Sequence, residues 1–285
     1  MKHLVVQGFD ADQVALKTLA KLAGAQGIEQ ITLEAFRLLA CNDEALENRR
    51  DEIAATARAA SLDWAIVPTA RQRSDFGLFV TDMDSTLINI ECIDEVADFH
   101  GVKAEVAAIT GASMRGELDF TEALTRRVAL LAGLAESALA EVYAQRLRLN
   151  PGAERLLAHL KRSGIRTMLV SGGFTFFTER LRTQLGFDHA HANVLEVRDG
   201  KLTGSLAGSI VDAAAKARLL REVRDAARLL ACAVVAIGDG ANDIPMLREA
   251  GLGIAYRAKP VVREAANTCL DFAALDGVLP LLGSE

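Results

Sequence analysis

The sequence predicts an α/β protein whose main part is built on a parallel sheet. From Leu78 onward, four runs are short, apolar on successive residues and rich in Val, Ile and Leu: LFVT, RTMLVS, AVVAIGD and LGIAY. Strands buried on both faces of a parallel sheet have this composition, and helical patterns separate the runs. The helical stretch between the first two runs is too long for a simple crossover. It predicts a separate helical lobe, or cap, over about residues 92–150 of a core that spans residues 77–285.

Residues 1–72 predict a smaller α+β module. HLVVQ and DWAIVP have the pattern of strands, whereas ADQVALKTLAKLAG and NDEALENRRDEIAATARAA have the pattern of helices. We expect IEQITLEAFRLLA to be extended, although its pattern does not distinguish strand from helix. The polar stretch TARQRSDFG then predicts a linker to the core.

The composition excludes several classes of protein. The chain has 285 residues, a net charge of −6 and a pI near 5.5, so it lacks the basic balance of a nucleic-acid-binding protein. It contains no apolar run of membrane-spanning length, and its N-terminus has no signal-peptide pattern. Four separated cysteines without a CxxC pair favour reduced thiols, so we expect a cytoplasmic protein.

Polar residues and glycines follow three of the predicted core strands. These residues are Asp82, Met83 and Asp84 after the first strand, Ser171, Gly172 and Gly173 after the second, and Asp239 to Asp243 after the third. Because ligands of open α/β sheets bind beyond the carboxyl ends of the strands, we expect these segments to form one site.

The acids of this site predict a metal. Four carboxylates in one crevice (Asp82, Asp84, Asp239 and Asp243) repel each other and need a cation. Oxygen ligands without His or Cys favour a hard ion, and a site shared with phosphate favours Mg²⁺. We expect Asp82 and Asp239 to bind the ion directly and Asp243 to orient them. A single DxD motif is more often a pair of solvated acids, but three converging strand ends favour the metal site.

The same residues predict phosphoryl chemistry. Asp82, held at a strand end, is placed to act as a nucleophile that forms an aspartyl-phosphate. Asp84 can protonate the leaving oxygen and later activate water. Ser171 and Gly172 offer hydrogen-bond donors to phosphate. Lys216 can supply a positive charge there, although a helical lysine lies more often on a solvated face.

These segments resemble a known family. DMDST, SGG, a downstream Lys and GDGANDIPM are similar to the four motifs of the haloacid dehalogenase superfamily, over about residues 79–258. The longer segments ECIDEVA, FTEALTRRVALL, VSGGF, DGKLTG and VAIGDGANDIPML resemble its magnesium-dependent phosphatases that release L-serine from O-phospho-L-serine, the last step of serine biosynthesis. The resemblance implies a Rossmann-like core with an inserted helical cap. Residues 1–72 resemble an ACT-type module, although the hairpin of that fold is not evident in the sequence.

The resemblance also implies individual roles. Asp82, Asp239 and the backbone carbonyl of Asp84 would hold Mg²⁺, and Asp243 would position neighbouring groups. The residues that would bind substrate are Glu91, Met114, Phe120, Arg127, Ser171, Gly172, Lys216 and Asn242. In the cap, Glu91 would contact the substrate ammonium and Arg127 its carboxylate, which a guanidinium can bind with two hydrogen bonds.

Two alternatives remain open at this point. A phosphatase or phosphotransferase for a related ester, such as phosphohomoserine or phosphothreonine, keeps every motif, because one methylene changes specificity by only ~1–3 kcal/mol. The other alternative is a non-catalytic amino-acid sensor, although a sensor has no need of an intact nucleophile, acid and metal site. A dehalogenase is disfavoured because it has no leaving alkoxide for Asp84 to protonate.

We expect residues 1–72 to be regulatory or to form a homodimer contact.

Overall fold

The computed structural model describes residues 1–284, without the side chain of Met114. The strands are β1 (Lys2–Gln7), β2 (Gly27–Gln30), β3 (Ala35–Cys41), β4 (Asp63–Pro68), β5 (Leu78–Thr81), β6 (Arg166–Phe174), β7 (His189–Arg198), β8 (Lys201–Ala207), β9 (Val234–Gly238), β10 (Leu252–Tyr256) and β11 (Thr268–Leu270). The helices are α1 (Gln13–Leu22), α2 (Asp43–Asn48), α3 (Arg50–Ala59), α4 (Cys92–His100), α5 (Lys103–Met114), α6 (Phe120–Ala129), α7 (Ser137–Gln145), α8 (Ala153–Arg162), α9 (Thr175–Leu185), α10 (Ala213–Ala226), α11 (Ile244–Glu249) and α12 (Pro260–Ala265).

The N-terminal part is an antiparallel sheet of four strands in the order β2-β3-β1-β4. With α1 and the α2–α3 pair between the strands, it has the β-α-β-β-α-β order of ferredoxin-like modules. The segment predicted to be extended forms strand on both sides of a turn that the sequence did not indicate, because β2 and β3 pair as a hairpin with Ile28 opposite Leu38. The turn closes through the Ile31 amide, which donates to the Ala35 carbonyl at 2.9 Å. Residues 31–34 contain no Gly, Asn or Pro, so the usual turn signals are missing.

The core is a sheet of seven strands in the order β11-β10-β9-β5-β6-β7-β8. All neighbours are parallel except β7 and β8, which form the hairpin around Asp199 and Gly200. Both of these turn residues have positive φ, at +52° and +71°, as the Asp-Gly pair predicts. β5 lies at the centre and is buried along its whole length, which explains its unbroken apolar sequence. The predicted parallel α/β core is therefore confirmed.

The helical insert follows β5 and precedes α8 and β6. Helices α4 to α7 pack on each other through buried side chains that include Val96, Val106, Leu124, Leu131 and Val142. These side chains belong to one apolar cluster that continues into the core beneath the sheet. The predicted cap is thus present, and it stands over the carboxyl end of β5.

Buried polar contacts join the N-terminal sheet to the core. The Asp63 carboxylate at the start of β4 accepts the amides of Asp271, Phe272 and Ala273 at 2.8 to 3.0 Å. Gln7 Nε2 donates to the Gly277 carbonyl at 2.9 Å. The edge strands β4 and β11 therefore lie close to each other. None of the described helices is long and apolar enough to cross a membrane.

Candidate active site

The end of β5 delivers Asp82 to the carboxyl edge of the sheet. Its amide donates to the Ile237 carbonyl of β9 at 3.0 Å, which continues the strand pairing to this residue. The side chain is buried, and its Oδ1 accepts a hydrogen bond from Lys216 Nζ at 2.6 Å. Burial, followed by the nearby Asp243 carboxylate, raises the pKa of Asp82 well above its usual value, and Lys216 opposes this shift.

Lys216 lies at the centre of the site and not on a solvated face. It is completely buried in the first turn of α10, and its Nζ donates to Asp82 and, at 2.8 Å, to Asp243 Oδ1. Burial alone would lower the pKa of Lys216, but Asp243 and Asp82 outweigh it and raise the pKa. The residue is therefore a fixed cation. Asp212 caps α10 by accepting the Ala215 amide at 2.8 Å, which positions this turn.

Asp243 ties the loop after β9 to the same point. Its Oδ2 accepts the amides of Asp239 and Gly240, at 3.2 and 3.0 Å, while its Oδ1 contacts Lys216. A side chain at Gly238 could not fit, because a Cβ there would lie 2.5 Å from the Asp243 carboxylate. The sequence GDGAND therefore folds into a loop whose acids face Asp82.

Three carboxylates are close enough to share one cation. Ligand atoms of Asp82, Asp239 and Asp243 lie within 4.8 Å of one another. Such an oxygen-only set suits a hard divalent ion. Thr86 donates to Asp239 Oδ1 at 3.1 Å. Burial, with a further contribution from Asp243, raises the pKa of Asp239 to about 6. A bound cation would favour the ionised carboxylate and so lower this pKa.

The Asp84 carboxylate points to a different set of groups. Its Oδ1 accepts the Cys92 amide at 2.8 Å, and its Oδ2 accepts the Ser171 hydroxyl at 3.1 Å. Burial raises the pKa of Asp84, although the Cys92 amide opposes the shift. The chain turns sharply at Ser85, whose φ is +56°. This conformation is uncommon outside glycine and is typical of functional loops.

The segment after the apolar part of β6 packs without space for side chains. A Cβ on Gly173 would lie 2.7 Å from Asp84 Oδ2, and one on Gly172 would lie 2.9 Å from Phe120 Cζ of the cap. The Gly173 amide donates to Ser171 Oγ at 2.8 Å. The two glycines are thus required for the close approach of Asp84 and of the cap.

A cavity of about 700 Å³ opens above these strand ends. Of the residues expected to bind substrate, those that line it are Glu91, Phe120, Arg127, Ser171, Gly172 and Asn242. Lys216 lies behind this wall, and the Met114 side chain lies outside the part of the structure that is described. The cavity therefore has acids and hydrogen-bond donors on the core side and the oppositely charged Glu91 and Arg127 on the cap side.

The cap residues are less firmly held. Glu91 is exposed to the cavity, and Ser85 Oγ donates to its Oε1 at 2.7 Å. The enclosure of its carboxylate in the cleft, and then the Asp84 charge, raise the pKa of Glu91 to about 7. Arg127 Nε donates to the Ala123 carbonyl of its own helix, at 3.3 Å. Burial lowers the pKa of Arg127, and the nearby Asp94 opposes this shift most strongly.

Two residues at the site, Asp94 and Asn193, lie outside the predicted set of site residues. Asp94 lines the cavity, and its Oδ1 is buried without a hydrogen-bond partner among the described residues. Its position three residues after Glu91 on one helical face was an available signal. Asn193 is buried, donates to the Gly172 carbonyl and accepts the Val211 amide, both at 2.8 Å. For an asparagine within a strand, no spacing to a neighbouring site residue indicates such a role.

Comparison with known protein families agrees with this geometry. Residues 79–248 match the model of the haloacid dehalogenase-like hydrolases. The chain therefore belongs to the haloacid dehalogenase-like hydrolases. Residues 4–53 match a second model, which describes a domain of unknown function.

Relatives and solved structures extend the similarity. A phosphoserine phosphatase of Polaromonas sp. is 53% identical over 214 residues, covering 73% of this chain and 91% of that protein. A crystal structure of a HAD family hydrolase from Salmonella enterica serovar Typhi has a TM-score of 0.91 at 32% identity and covers 100% of both chains. An unliganded probable phosphoserine phosphatase from Vibrio cholerae has a TM-score of 0.85 at 35% identity, covering 98% of this chain and 86% of that one. The last two similarities include the N-terminal module.

Proposed function

We propose that this chain is a phosphoserine phosphatase, which hydrolyses O-phospho-L-serine to L-serine and phosphate. The observation that carries the proposal is a single cavity with Asp82 and Asp84 at its base, the buried Lys216 cation directly behind Asp82, and Glu91 and Arg127 at its cap side. Phosphoserine has a phosphate, an ammonium and a carboxylate, and each of these groups has a complementary residue in this cavity. The relative from Polaromonas carries the name of the same activity.

The first step is attack by a carboxylate oxygen of Asp82 on phosphorus. The bond between phosphorus and the serine oxygen breaks, and Asp84 gives its proton to that oxygen, so L-serine leaves. Burial raises the pKa of Asp84, which favours the protonated form needed for this transfer. In the second step Asp84, now ionised, takes a proton from water. The water oxygen attacks phosphorus, releases phosphate and restores the Asp82 carboxylate.

The phosphate is held by charge and by hydrogen-bond donors. Lys216 contributes a fixed cation, and Ser171, Gly172 and Asn242 contribute donors around the phosphoryl oxygens. Because these groups are already in place, little reorganisation is needed as charge develops in the transition state.

The proposed cofactor is Mg²⁺, held by Asp82, Asp239 and the backbone carbonyl of Asp84. Asp243 would position Asp239 through the loop amides it already accepts. When bound, the ion supplies positive charge that offsets the repulsion between the acids and the phosphate.

The cap side supplies selectivity. Glu91 would accept hydrogen bonds from the substrate ammonium, and Arg127 would bind the substrate carboxylate. Phe120 and Met114 are proposed to line the apolar side of the pocket. The buried Oδ1 of Asp94, which has no hydrogen-bond partner in the part of the chain that is described, offers a further acceptor beside Glu91.

A panel of phosphate esters tests this proposal. Released phosphate is measured for phosphoserine, phosphothreonine, phosphohomoserine and phosphoethanolamine under identical conditions with Mg²⁺. The highest kcat/KM is expected for phosphoserine. A higher value for phosphothreonine or phosphohomoserine would instead identify the related ester as the substrate. No phosphate release from any ester would favour an amino-acid sensor.

We also propose that residues 1–72 form a unit distinct from the catalytic core of residues 77–285 and its cap, either regulatory or a homodimer contact. The separate four-stranded sheet supports the division. A mass in solution that rises with protein concentration would support the dimer contact. The four cysteines are free, in keeping with the reducing cytoplasm that we propose as its location.

A further inference from the structure

A second cavity, of about 540 Å³, lies between the N-terminal module and the core. One wall is formed by α3 and β4 of the module, and the other by α12 and β11 of the core. It shares no lining residue with the strand-end cavity. This junction cavity is therefore a separate feature of the molecule.

Positive side chains predominate in the junction cavity. The lining cations are Lys2, Arg50, Arg58, Arg71 and Arg263, and the lining acids are Asp63 and Asp271. This excess contrasts with the net charge of −6 of the whole chain. A concave surface that concentrates one sign of charge raises the local concentration of the opposite ion.

Both acids of the junction cavity are already engaged. The two oxygens of Asp63 accept three backbone amides from residues 271–273. Asp271 forms an ion pair with Arg263. Neither carboxylate is thus placed to neutralise the remaining arginines.

Two of those arginines lie on one face of α3. Arg50 and Arg58 are separated by two helical turns, with the small side chain of Ala54 between them on the cavity wall. Among the described residues, no carboxylate lies within ion-pair distance of either arginine. The Arg50 guanidinium instead lies over the Trp64 ring, 5.1 Å from its centroid. This contact leaves its edge donors available for an anion.

Arg71 adds a partly buried cation from the linker. Its Nη1 donates to the Leu281 carbonyl at 3.4 Å, and its guanidinium lies 5.8 Å from the Phe76 ring centroid. Burial lowers the pKa of Arg71, although Asp75 opposes the shift. A carbonyl and a ring compensate a buried charge less well than a carboxylate or phosphate does.

We propose that the junction cavity binds a small molecule with at least two anionic groups, phosphate or carboxylate, through Arg50, Arg58 and Arg71. The cavity has room for a ligand of metabolite size, and its walls come from both parts of the chain. A ligand bound there would stabilise the contact between the module and the core. This gives the N-terminal module a ligand-binding function that is independent of the strand-end site.

The test uses the full chain, free of divalent metal, and isothermal titration calorimetry. Inorganic pyrophosphate is the phosphate probe, tricarballylate is the carboxylate probe, and glycerol is the uncharged control. The variants are Arg58→Ala, Arg71→Ala and the double variant Arg50→Ala/Arg58→Ala. The matched control is Arg198→Ala/Arg218→Ala, which removes two exposed arginines that line neither cavity. Thermal unfolding without ligand establishes that each variant is folded, and phosphate release from phosphoserine is measured separately.

We expect at least one anionic probe to bind with a Kd of ~1 mM or tighter and more weakly as NaCl is added. The double variant should weaken that binding by about tenfold or more, whereas the control variant should not. Binding of only one probe, weakened in the double variant, would support the proposal and identify the anion class. The proposal is overturned if neither anion binds, or if the double variant binds both as tightly as the wild-type chain. Because phosphoserine hydrolysis should be unchanged in the double variant, failure here is distinguishable from failure of the proposed activity.

Discussion

The two sides of the strand-end cavity hold their charged residues in different ways. On the core side, Asp82 and Asp243 are buried and hydrogen-bonded to the wholly buried Lys216. On the cap side, within the described part of the chain, Glu91 is exposed and has one side-chain partner, and Arg127 donates only to a carbonyl of its own helix. The core side is therefore preorganised by the protein, whereas the cap side leaves charges available for a ligand. This division suits an enzyme whose chemistry is fixed and whose selectivity lies in the cap.

The largest effect should come from Asp82→Asn. The amide keeps the shape of the side chain but cannot act as the nucleophile, so kcat for phosphoserine should fall by about 10⁶-fold, the scale found for loss of a covalent nucleophile. Released phosphate measures the effect, and thermal unfolding controls for the fold. Substantial remaining activity would mean that another group attacks phosphorus.

Removal of divalent metal tests the core side without a change of sequence, and it should abolish turnover of phosphoserine. Without a cation, the carboxylates of Asp82 and Asp239 and the phosphate repel one another. Excess EDTA should therefore stop phosphate release, and added Mg²⁺ should restore it. Full activity in EDTA would contradict the proposed metal site.

Lys216→Met tests whether the core side is held together by its buried cation. The substitution leaves Asp82 and Asp243 without their shared partner, so the free energy of unfolding should fall by ~3–5 kcal/mol. Urea unfolding measures this change. The control is Lys161→Met on the exposed face of α8, which should change stability by less than ~0.5 kcal/mol. Equal losses in both variants would show that the buried pairs contribute no special stability.

Arg127→Ala tests the cap side. Loss of a charged hydrogen-bond donor should lower kcat/KM for phosphoserine by about 10- to 100-fold. Phosphoethanolamine has no carboxylate, so its turnover should change little. The neighbouring Arg126→Ala is the matched control, because Arg126 is exposed and paired with Glu122. If both esters lose activity equally in the Arg127 variant, then Arg127 does not bind the substrate carboxylate.

The smallest effect concerns Glu91 and pH. Its pKa is raised to about 7 in the folded chain, above the ~4.3 of an unfolded glutamate, so between these values the folded state binds more protons than the unfolded state. Stability without metal should therefore fall as pH rises from about 4.5 to about 7. In Glu91→Gln the part of this decrease that comes from Glu91 should be absent. Urea unfolding at several pH values measures the free energy of unfolding. Identical pH profiles for the two proteins would contradict the raised pKa.

Much of the core site was predictable because its signals are local. Apolar runs followed by acids placed Asp82 and Asp239 directly after β5 and β9, and parallel strands bring such ends together, whereas Ser171 lies within β6, which continues to Phe174. The β2–β3 hairpin was missed because its turn lacks the residues that usually mark one. Asn193 was missed because its hydrogen-bond partners Gly172 and Val211 belong to other segments, whereas Asp94 was missed although its spacing from Glu91 was a local signal.

The sequence by itself determined the central strands of the core, the helical insert and the order in which acids, glycines and lysine occur along the chain, because periodicity and strand ends depend on nearby residues. Only the tertiary structure decided which of these groups meet. Lys216 reaches Asp82 across 134 positions and Asp243 across 27, and nothing in the alanine-rich helix around it predicts its complete burial. The arginines at the junction cavity likewise come from α3, the linker and α12. The physical reason is that electrostatic contacts depend on distance in space, which is set by packing of the whole fold.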